Sequence, residues 1–216
     1  MELTSTKAVL YRAGTHRKTP LFRYSRSVTA RSAGVIRSET RFTDMSGKLV
    51  YFETADLKDG KILRYEWNHQ QMGESGNVEI KNGKSFYTLC KGEKTQKEIA
   101  EAPENLVIGP SIITYAQDHW KELKSGSSVD VRIGVPDRMN DYGFRFSALK
   151  QSDSEKSDKI QISLSPTSPF VAAAVKPIIF TFSKNGTHLL MTEGMSLLKV
   201  MKNGKWDDLI AETVFK

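Results

Sequence analysis

The sequence contains a single cysteine, Cys90, and no apolar stretch long enough for a transmembrane helix. One cysteine cannot form an intramolecular disulfide and cannot supply a multi-cysteine metal site. The most apolar stretch, residues 169–182, is interrupted by Lys176 and Pro177, whereas a spanning helix needs about 20 predominantly apolar residues. These absences predict a water-soluble chain whose fold depends on noncovalent packing.

The familiar signatures of catalysis and cofactor binding are also missing. The chain has no dinucleotide-binding glycine motif, P-loop, zinc-protease motif, nucleophile elbow or EF-hand loop. The four histidines have no metal-ligand spacing; they are His16, His69, His119 and His188. The sequence therefore predicts no cofactor, no metal and no catalytic residue, and it favours binding over catalysis.

Positive charge is concentrated in the opening segment of the chain. The first 41 residues hold nine basic and two acidic residues, a balance of +7, which equals the formal net charge of all 216 residues. The basic residues are spread out, which argues against a nucleic-acid site. The segment 7–41 predicts either a solvated strand face or contact with an anionic partner, which would be a lipid headgroup, a polysaccharide or nucleic acid. The candidate contacts are Arg17, Lys18, Arg23, Arg26 and Arg31.

Repeated turn sequences predict the fold class. Asn-Gly and Asp-Gly supply the positive φ angles of two-residue hairpin turns, and they occur between strand-like segments rich in β-branched and aromatic residues. The four turns are Asp59-Gly60, Asn82-Gly83, Asn185-Gly186 and Asn203-Gly204, with Ser46-Gly47 as a weaker fifth. We expect one mainly β domain over residues 1–216. Its architecture would be a single curved antiparallel sheet or incomplete β-barrel of about ten or more strands. The pattern leaves open whether residues 1–30 join the sheet.

One amphipathic helix is predicted at about 111–125. Its apolar residues recur at spacings of three, four and three and form a single stripe, which favours packing on the concave face of the sheet. Ser111 or Thr114 can cap its start, and Gly126 can end it in a left-handed conformation. A second short helix is predicted at about 169–175, where a proline precedes alanine-rich sequence.

Two groups of side chains are candidates for a site. Tyr115, His119 and Glu122 share one flank of the predicted helix, either at the mouth of a cavity or facing water. Asp137 and Arg138 form either a salt-bridged turn or a clamp for an anion. With the neighbouring aromatic residues, the ligand-binding candidates are Tyr115, His119, Trp120, Arg138, Phe144 and Phe146.

Three stretches taken together resemble an uncharacterised family of bacterial envelope proteins. They are residues 113–126, which contain Trp120 and Gly126; residues 129–146, which contain Pro136, Arg138 and Gly143; and residues 189–194, which contain Glu193. The resemblance covers roughly residues 30–216. It implies an architecture similar to the lipoprotein-carrier (LolA-like) fold, a domain of unknown function, and binding of a lipid or acyl chain in the periplasm or at the outer envelope after removal of a signal segment.

Three functions are compatible with these sequence features. The first is a non-enzymatic envelope protein that binds a hydrophobic ligand, and the second is a module that contacts an anionic partner through residues 7–41. The third is an enzyme with its site near His119 and Arg138.

Overall fold

The computed structural model describes residues 2–149 and 158–216, with side chains from residue 4 onward. Fifteen strands make up the described fold: β1 Glu2–Arg12, β2 Pro20–Ala30, β3 Val35–Asp44, β4 Leu49–Lys58, β5 Lys61–His69, β6 Glu74–Lys81, β7 Lys84–Lys91, β8 Lys94–Glu101, β9 Leu106–Val107, β10 Val129–Val135, β11 Asn140–Ala148, β12 Lys159–Pro166, β13 Ile178–Ser183, β14 Leu189–Lys202 and β15 Lys205–Phe215. Three α-helices are present in the same residues: α1 Ser111–Asp118, α2 Trp120–Lys124 and α3 Pro169–Ala174.

All fifteen strands belong to one sheet in which β8 and β9 are the two edges. From β8 the order runs back through the chain to β1, crosses to β15, and continues down to β9. Every pair is antiparallel except β9 with β10. The sheet does not close by hydrogen bonds between its edges, so the incomplete-barrel prediction is confirmed. The opening segment also joins the sheet, because β1 and β2 lie in its middle.

The hairpin turns adopt the conformations that the sequence predicts, with one variation. Both residues have positive φ at Asp59-Gly60, Asn82-Gly83 and Asn203-Gly204. At Asn185-Gly186 only the glycine has positive φ, and the Asn185 side chain instead accepts hydrogen bonds from Ser183 and Thr187. An Asn in this position shapes a turn through its side chain rather than through its own backbone.

The predicted 111–125 helix is divided at His119 into α1 and α2. Gly126 follows with φ of 89°, as expected. The predicted side-chain caps are wrong: Pro110 occupies the N-cap position, and the Ser111 hydroxyl accepts from the Ile108 amide and donates to the Ile108 carbonyl. The serine closes the turn ahead of the helix instead of capping it, because its side chain folds back onto the chain that precedes it.

The concave face of the sheet carries two hydrophobic clusters. The first covers strands β1 to β7 with β9, β14 and β15, and Tyr65 and Leu209 are among its buried members. The second covers β10 to β13 and includes Ala116 and Leu123 from the helices. Helices α1 and α2 therefore fill the concave side of one half, and the other half is covered by the β14–β15 hairpin and the chain around Ile108.

Candidate ligand-binding clefts

Strand β14 departs from regular pairing with β15 partway along its length. Met195 lies opposite Ile210 and Lys199 lies opposite Asp208, so β14 has extra residues in this interval, and one of them, Leu198, is fully buried. Such a bulge bends its strand and redirects side chains. Here it turns an apolar side chain of β14 toward the interior.

Two side chains, one at the end of β5 and one just beyond it, hold this part of β14 in place. The Gln71 amide donates to the Lys199 carbonyl at 3.0 Å and accepts from the Lys199 amide at 3.1 Å. His69 Nε2 lies 3.0 Å from the Leu197 carbonyl oxygen, and because a carbonyl only accepts, we assign the Nε2–H tautomer. Burial lowers the pKa of His69, which favours this neutral form.

Next to these contacts lies an open cleft of about 360 Å³, here called the hairpin cleft. Its walls come from the β3–β4 turn, the β5–β6 turn and the β14–β15 hairpin. Apolar side chains form most of it: Phe22, Leu49, Val50, Val200, Met201 and Trp206, with Asp44, Lys48, Gln70, Gln71 and Lys199 completing the lining. The cleft combines an apolar floor with a polar rim.

The charged side chains on the rim differ in whether they already have a bonding partner. The Asp44 carboxylate accepts from the amides of Ser46 and Lys48 and from the Ser46 hydroxyl, and this last bond chiefly lowers its pKa. The Lys199 ammonium pairs with Asp208. No described carboxylate lies within ion-pair distance of the exposed Lys48 ammonium. Lys48 is thus the cation on this rim that remains available to an anionic group.

A smaller space of about 140 Å³, here called the inner cavity, lies on the other side of the β14 bulge. Its lining is mostly apolar: Leu10, Phe42, Ile178, Thr192, Gly194, Met195, Ser196, Leu197, Ala211 and Thr213. The buried Leu198 lies in the chain between the β14 residues that line the cleft and those that line the cavity.

A buried acid and two tyrosines form a polar cluster on the same concave face. Tyr65 donates to Glu53 Oε2 at 2.7 Å, and the Tyr51 and Tyr65 hydroxyls are 2.9 Å apart. Glu53 has no described ion-pair partner within 4 Å, and burial raises its pKa. Burial likewise raises the pKa of Tyr24 to about 12. Burial therefore favours the protonated form of Glu53 over the ionised form.

Gly109, between β9 and α1, lies directly against this cluster. Its φ is 55°, and a Cβ there would lie 2.6 Å from Tyr65 Cε2 and 3.4 Å from Glu53 Oε2. The chain can approach the two side chains this closely only without a side chain of its own. Gly109 thus covers the Glu53 cluster from the inside.

Most of the predicted ligand-binding residues come together in the second hydrophobic cluster. The Tyr115 ring is 4.5 Å from the His119 ring and 6.3 Å from the Phe146 ring, and its hydroxyl donates to the Asp130 carbonyl at 3.2 Å. Phe144 and Phe146 are buried in the same cluster. Trp120 packs 5.2 Å from the Phe182 ring. These side chains fill the space beneath the helices, and none of them lines the hairpin cleft or the inner cavity.

Arg138 lies apart from that group. It belongs to a short 3-10 turn, Pro136–Arg138, which contacts β6 and β7. Its side chain is 72% exposed and lies 3.8 Å from Asp137. The geometry is that of a salt-bridged turn at the surface, and the anion-clamp role for Arg138 stays a prediction.

The five predicted anionic-partner residues do not form one cluster. Arg17 pairs with Glu212 at 2.8 Å, and Arg26 donates to the Ser38 hydroxyl at 2.7 Å. Lys18 and Arg31 flank opposite ends of β2, and a strand of 11 residues is roughly 36 Å long. Arg23 is exposed in the first half of that strand, so the five residues are spread along its length and do not share one patch.

Sequence patterns could identify neither the cleft nor the Glu53 cluster. In Tyr51-Phe-Glu53 the alternation places the acid on the same face as Tyr51, which is a signal of a buried carboxylate, but the alternation does not say which face is covered. The cleft depends on a strand bulge and on turns that are about 150 residues apart in sequence, and no local pattern predicts either.

Within the described ranges, no group of three or more histidine, cysteine or acidic side chains could hold a metal ion. None of the helices in that part of the chain combines the length and the apolar character required to cross a bilayer.

No family model matches the chain, and no curated protein matches it. Among solved structures it is similar to a beta-barrel-like protein of the domain of unknown function DUF1849 from Brucella abortus. The two sequences are 9% identical, and the match has a TM-score of 0.46 over 98% of this chain and 93% of that chain. The neighbour's name describes a shape and includes no ligand or activity.

Proposed function

We propose that this chain is a non-enzymatic binding protein for an anionic amphiphile, such as a fatty acid. The apolar chain would lie in the hairpin cleft and the acid group would lie near Lys48. The observation that carries the proposal is the combination of an apolar floor with an available ammonium on the rim.

The dimensions and composition of the cleft support this assignment. Small-molecule sites are typically concave, mostly apolar and about 300–1,000 Å³ in volume, with a few polar groups that orient the ligand. The hairpin cleft, at about 360 Å³, lies at the lower end of that range. Gln70 also lines the cleft and adds an amide group, which suits a carboxylate or phosphate headgroup, whereas the Gln71 amide is bonded to the Lys199 backbone.

The proposal includes a location in the bacterial cell envelope and a carrier-like role. Its support is the resemblance of residues 113–126, 129–146 and 189–194 to an envelope family with LolA-like architecture. Fractionation of cells that express the full-length gene product tests the location. Recovery in the cytoplasmic fraction alone would remove this part of the proposal without affecting the cleft.

Ligand binding is best tested with two probes that share one chain and differ in charge, dodecanoate and dodecyltrimethylammonium. Titration followed by Trp206 fluorescence and native mass spectrometry should show tighter binding of dodecanoate. Lys48→Glu should weaken dodecanoate binding about tenfold, because it replaces an attractive charge by a repulsive one. Lys58→Glu is the matched control, since Lys58 is also exposed but lies at the opposite end of β4. Equal effects of the two variants would contradict the assignment of Lys48.

The location of the ligand can be tested separately from its charge. Leu49→Trp should fill the cleft and abolish binding of both probes, whereas Leu63→Trp, on the exposed side of β5, should leave binding unchanged. Unchanged binding by Leu49→Trp would exclude the hairpin cleft as the site.

The alternative functions have less support. The anionic-partner hypothesis would need its five basic residues on one surface, and they are distributed over several. The enzyme hypothesis would need His119 and Arg138 near a common space, and neither lines the hairpin cleft or the inner cavity.

A further inference from the structure

Strand β8 offers a free backbone edge to a partner. It is at the end of the sheet and pairs with β7 alone among the described strands. Seven of its eight residues are exposed, and the exception is Ala100. An exposed edge of this length presents a row of unpaired amide and carbonyl groups that can accept another strand.

The hydrogen-bonding pattern determines which residues of β8 face that edge. The Ala102 amide bonds the Gly83 carbonyl at 2.8 Å, and Lys94 lies opposite Lys91 across a two-residue turn. In an antiparallel pair the bonded residues alternate, so the even-numbered residues of β8 bond to β7. The backbone groups of Thr95, Lys97, Ile99 and Glu101 therefore point outward.

The side chains of these odd-numbered residues share the convex face. Ile99 is 57% exposed and lies directly opposite Phe86, which is 37% exposed. Lys97 and Glu101 lie two residues to either side of Ile99. The edge thus has an apolar centre between a cation and an anion.

We propose that β8 pairs antiparallel with β8 of a second copy of this chain, with the two-fold axis at Ile99. In this register Ile99 faces Ile99 of the second copy, and Lys97 faces Glu101 of the second copy on both sides. Each facing residue has outward backbone groups, so about six backbone hydrogen bonds form between the copies. The contact is isologous and closes as a dimer.

Charge selects this register among the neighbouring alternatives. Two antiparallel strands can pair only where outward-facing residues oppose outward-facing residues. A register centred on Lys97 places two ammonium groups opposite each other, and one centred on Glu98 places two carboxylates opposite each other. Directly opposed like charges destabilise a strand pair, whereas opposite charges stabilise it. The register centred on Ile99 is the one in which both charged residues meet their opposites.

The same register also covers exposed apolar surface. Phe86 and Ile99 of each copy form a continuous row of four apolar side chains across the junction of the two sheets. Their exposure in the single chain is then explained by burial in the dimer. The interface is small compared with a standard protein interface, so the dimer should depend on concentration.

Sedimentation velocity on the whole chain, from about 1 to 100 µM, tests the proposal. The wild type should shift from monomer toward dimer over this range. Glu101→Lys should raise the dimer dissociation constant at least about tenfold, because it replaces two attractive pairs by two repulsive ones. The double variant Lys97→Glu/Glu101→Lys exchanges the charges and should restore dimerisation. A wild type that stays monomeric, or a dimer that Glu101→Lys leaves unchanged, would overturn the proposal.

A backbone variant separates edge pairing from other effects of charge. Ile99→Pro removes an amide that faces outward, so it should abolish the dimer while circular dichroism shows the sheet intact. A dimer that survives this substitution would show that β8 is not the contact. Neither outcome depends on the hairpin cleft or its ligand.

Discussion

At the scale of single residues, the concave face contains a buried carboxyl group with no described ion-pair partner within 4 Å. Glu53 is 6% exposed and is bound by tyrosine hydroxyls, and burial raises its pKa. A group whose pKa is higher in the folded chain than in the unfolded chain favours folding when it is protonated. Its contribution is complete below the unfolded pKa and is lost as pH rises through the folded pKa.

Glu53 should therefore make the chain less stable as pH increases above about 4.5, the ordinary value for a glutamate. Glu53→Gln keeps the shape and the neutral state, so it should remove this part of the pH dependence and be at least as stable as the wild type at pH 7.5. Urea unfolding at several pH values measures the free energy of unfolding of both proteins and its pH dependence. Glu79→Gln, at an exposed position on β6, is the control. A wild-type pH dependence that Glu53→Gln leaves intact would contradict the assignment.

Gly109 and Gly92 provide a matched pair for measuring close packing. Their φ angles are 55° and 57°, but a Cβ at Gly92 would meet nothing within 4 Å, whereas one at Gly109 would lie 2.6 Å from the Tyr65 ring. We expect Gly92→Ala to cost about 1 kcal/mol from backbone conformation. Gly109→Ala should cost about 2–4 kcal/mol because the steric clash is added. Chemical denaturation gives both values, and equal losses would show that Tyr65 moves aside freely.

At the scale of elements, the β14 bulge is held by side chains of another hairpin. Gln71 both donates to and accepts from the backbone of Lys199, which substitutes for the strand pairing that β14 lacks at the bulge. The bulge brings Leu198 into the core and separates the hairpin cleft from the inner cavity. The shape of the proposed site thus depends on a glutamine in the β5–β6 turn.

Gln71→Ala should release the bulge and cost about 1–2 kcal/mol, because it leaves two backbone groups of Lys199 without their partner. Hydrogen exchange at the Lys199 amide should accelerate, and dodecanoate affinity should fall. Gln70→Ala is the control, since Gln70 lines the same cleft without a described side-chain bond to β14. Slow exchange retained at Lys199 in Gln71→Ala would show that another contact fixes the bulge.

The elements differ in how far the sequence could predict them. The hairpins at Asp59-Gly60, Asn82-Gly83 and Asn203-Gly204 were predictable because each turn is encoded by two adjacent residues. The stripe from Ile113 to Leu123 predicted the helical region and its placement on the concave face. The division of that helix at His119, the β14 bulge and the Gly109 contact depend on partners distant in the chain, so local patterns contain no signal for them.

At the scale of the whole molecule, β1 joins the two halves of the sheet by pairing with both β2 and β15. The two hydrophobic clusters belong to one continuous set of hydrogen-bonded strands, and Leu10 of β1 is almost fully buried in the first cluster. The single-domain prediction implies that the two clusters unfold together.

Leu10→Ala tests that cooperativity. Removal of a buried leucine side chain should cost about 2–5 kcal/mol. The loss in free energy of unfolding should be the same when it is followed at Trp67, in the first cluster, and at Trp120, packed against the second. Single-tryptophan variants monitored by fluorescence during denaturation provide the two signals. Two transitions at different denaturant concentrations would indicate two folding units instead of one domain.

The β14 bulge couples the two spaces on this side of the molecule. Val200 lines the hairpin cleft and Leu197 lines the inner cavity, and the fully buried Leu198 lies between them in the chain. A shift of the bulge by one residue along β14 would therefore change the lining of both spaces at once.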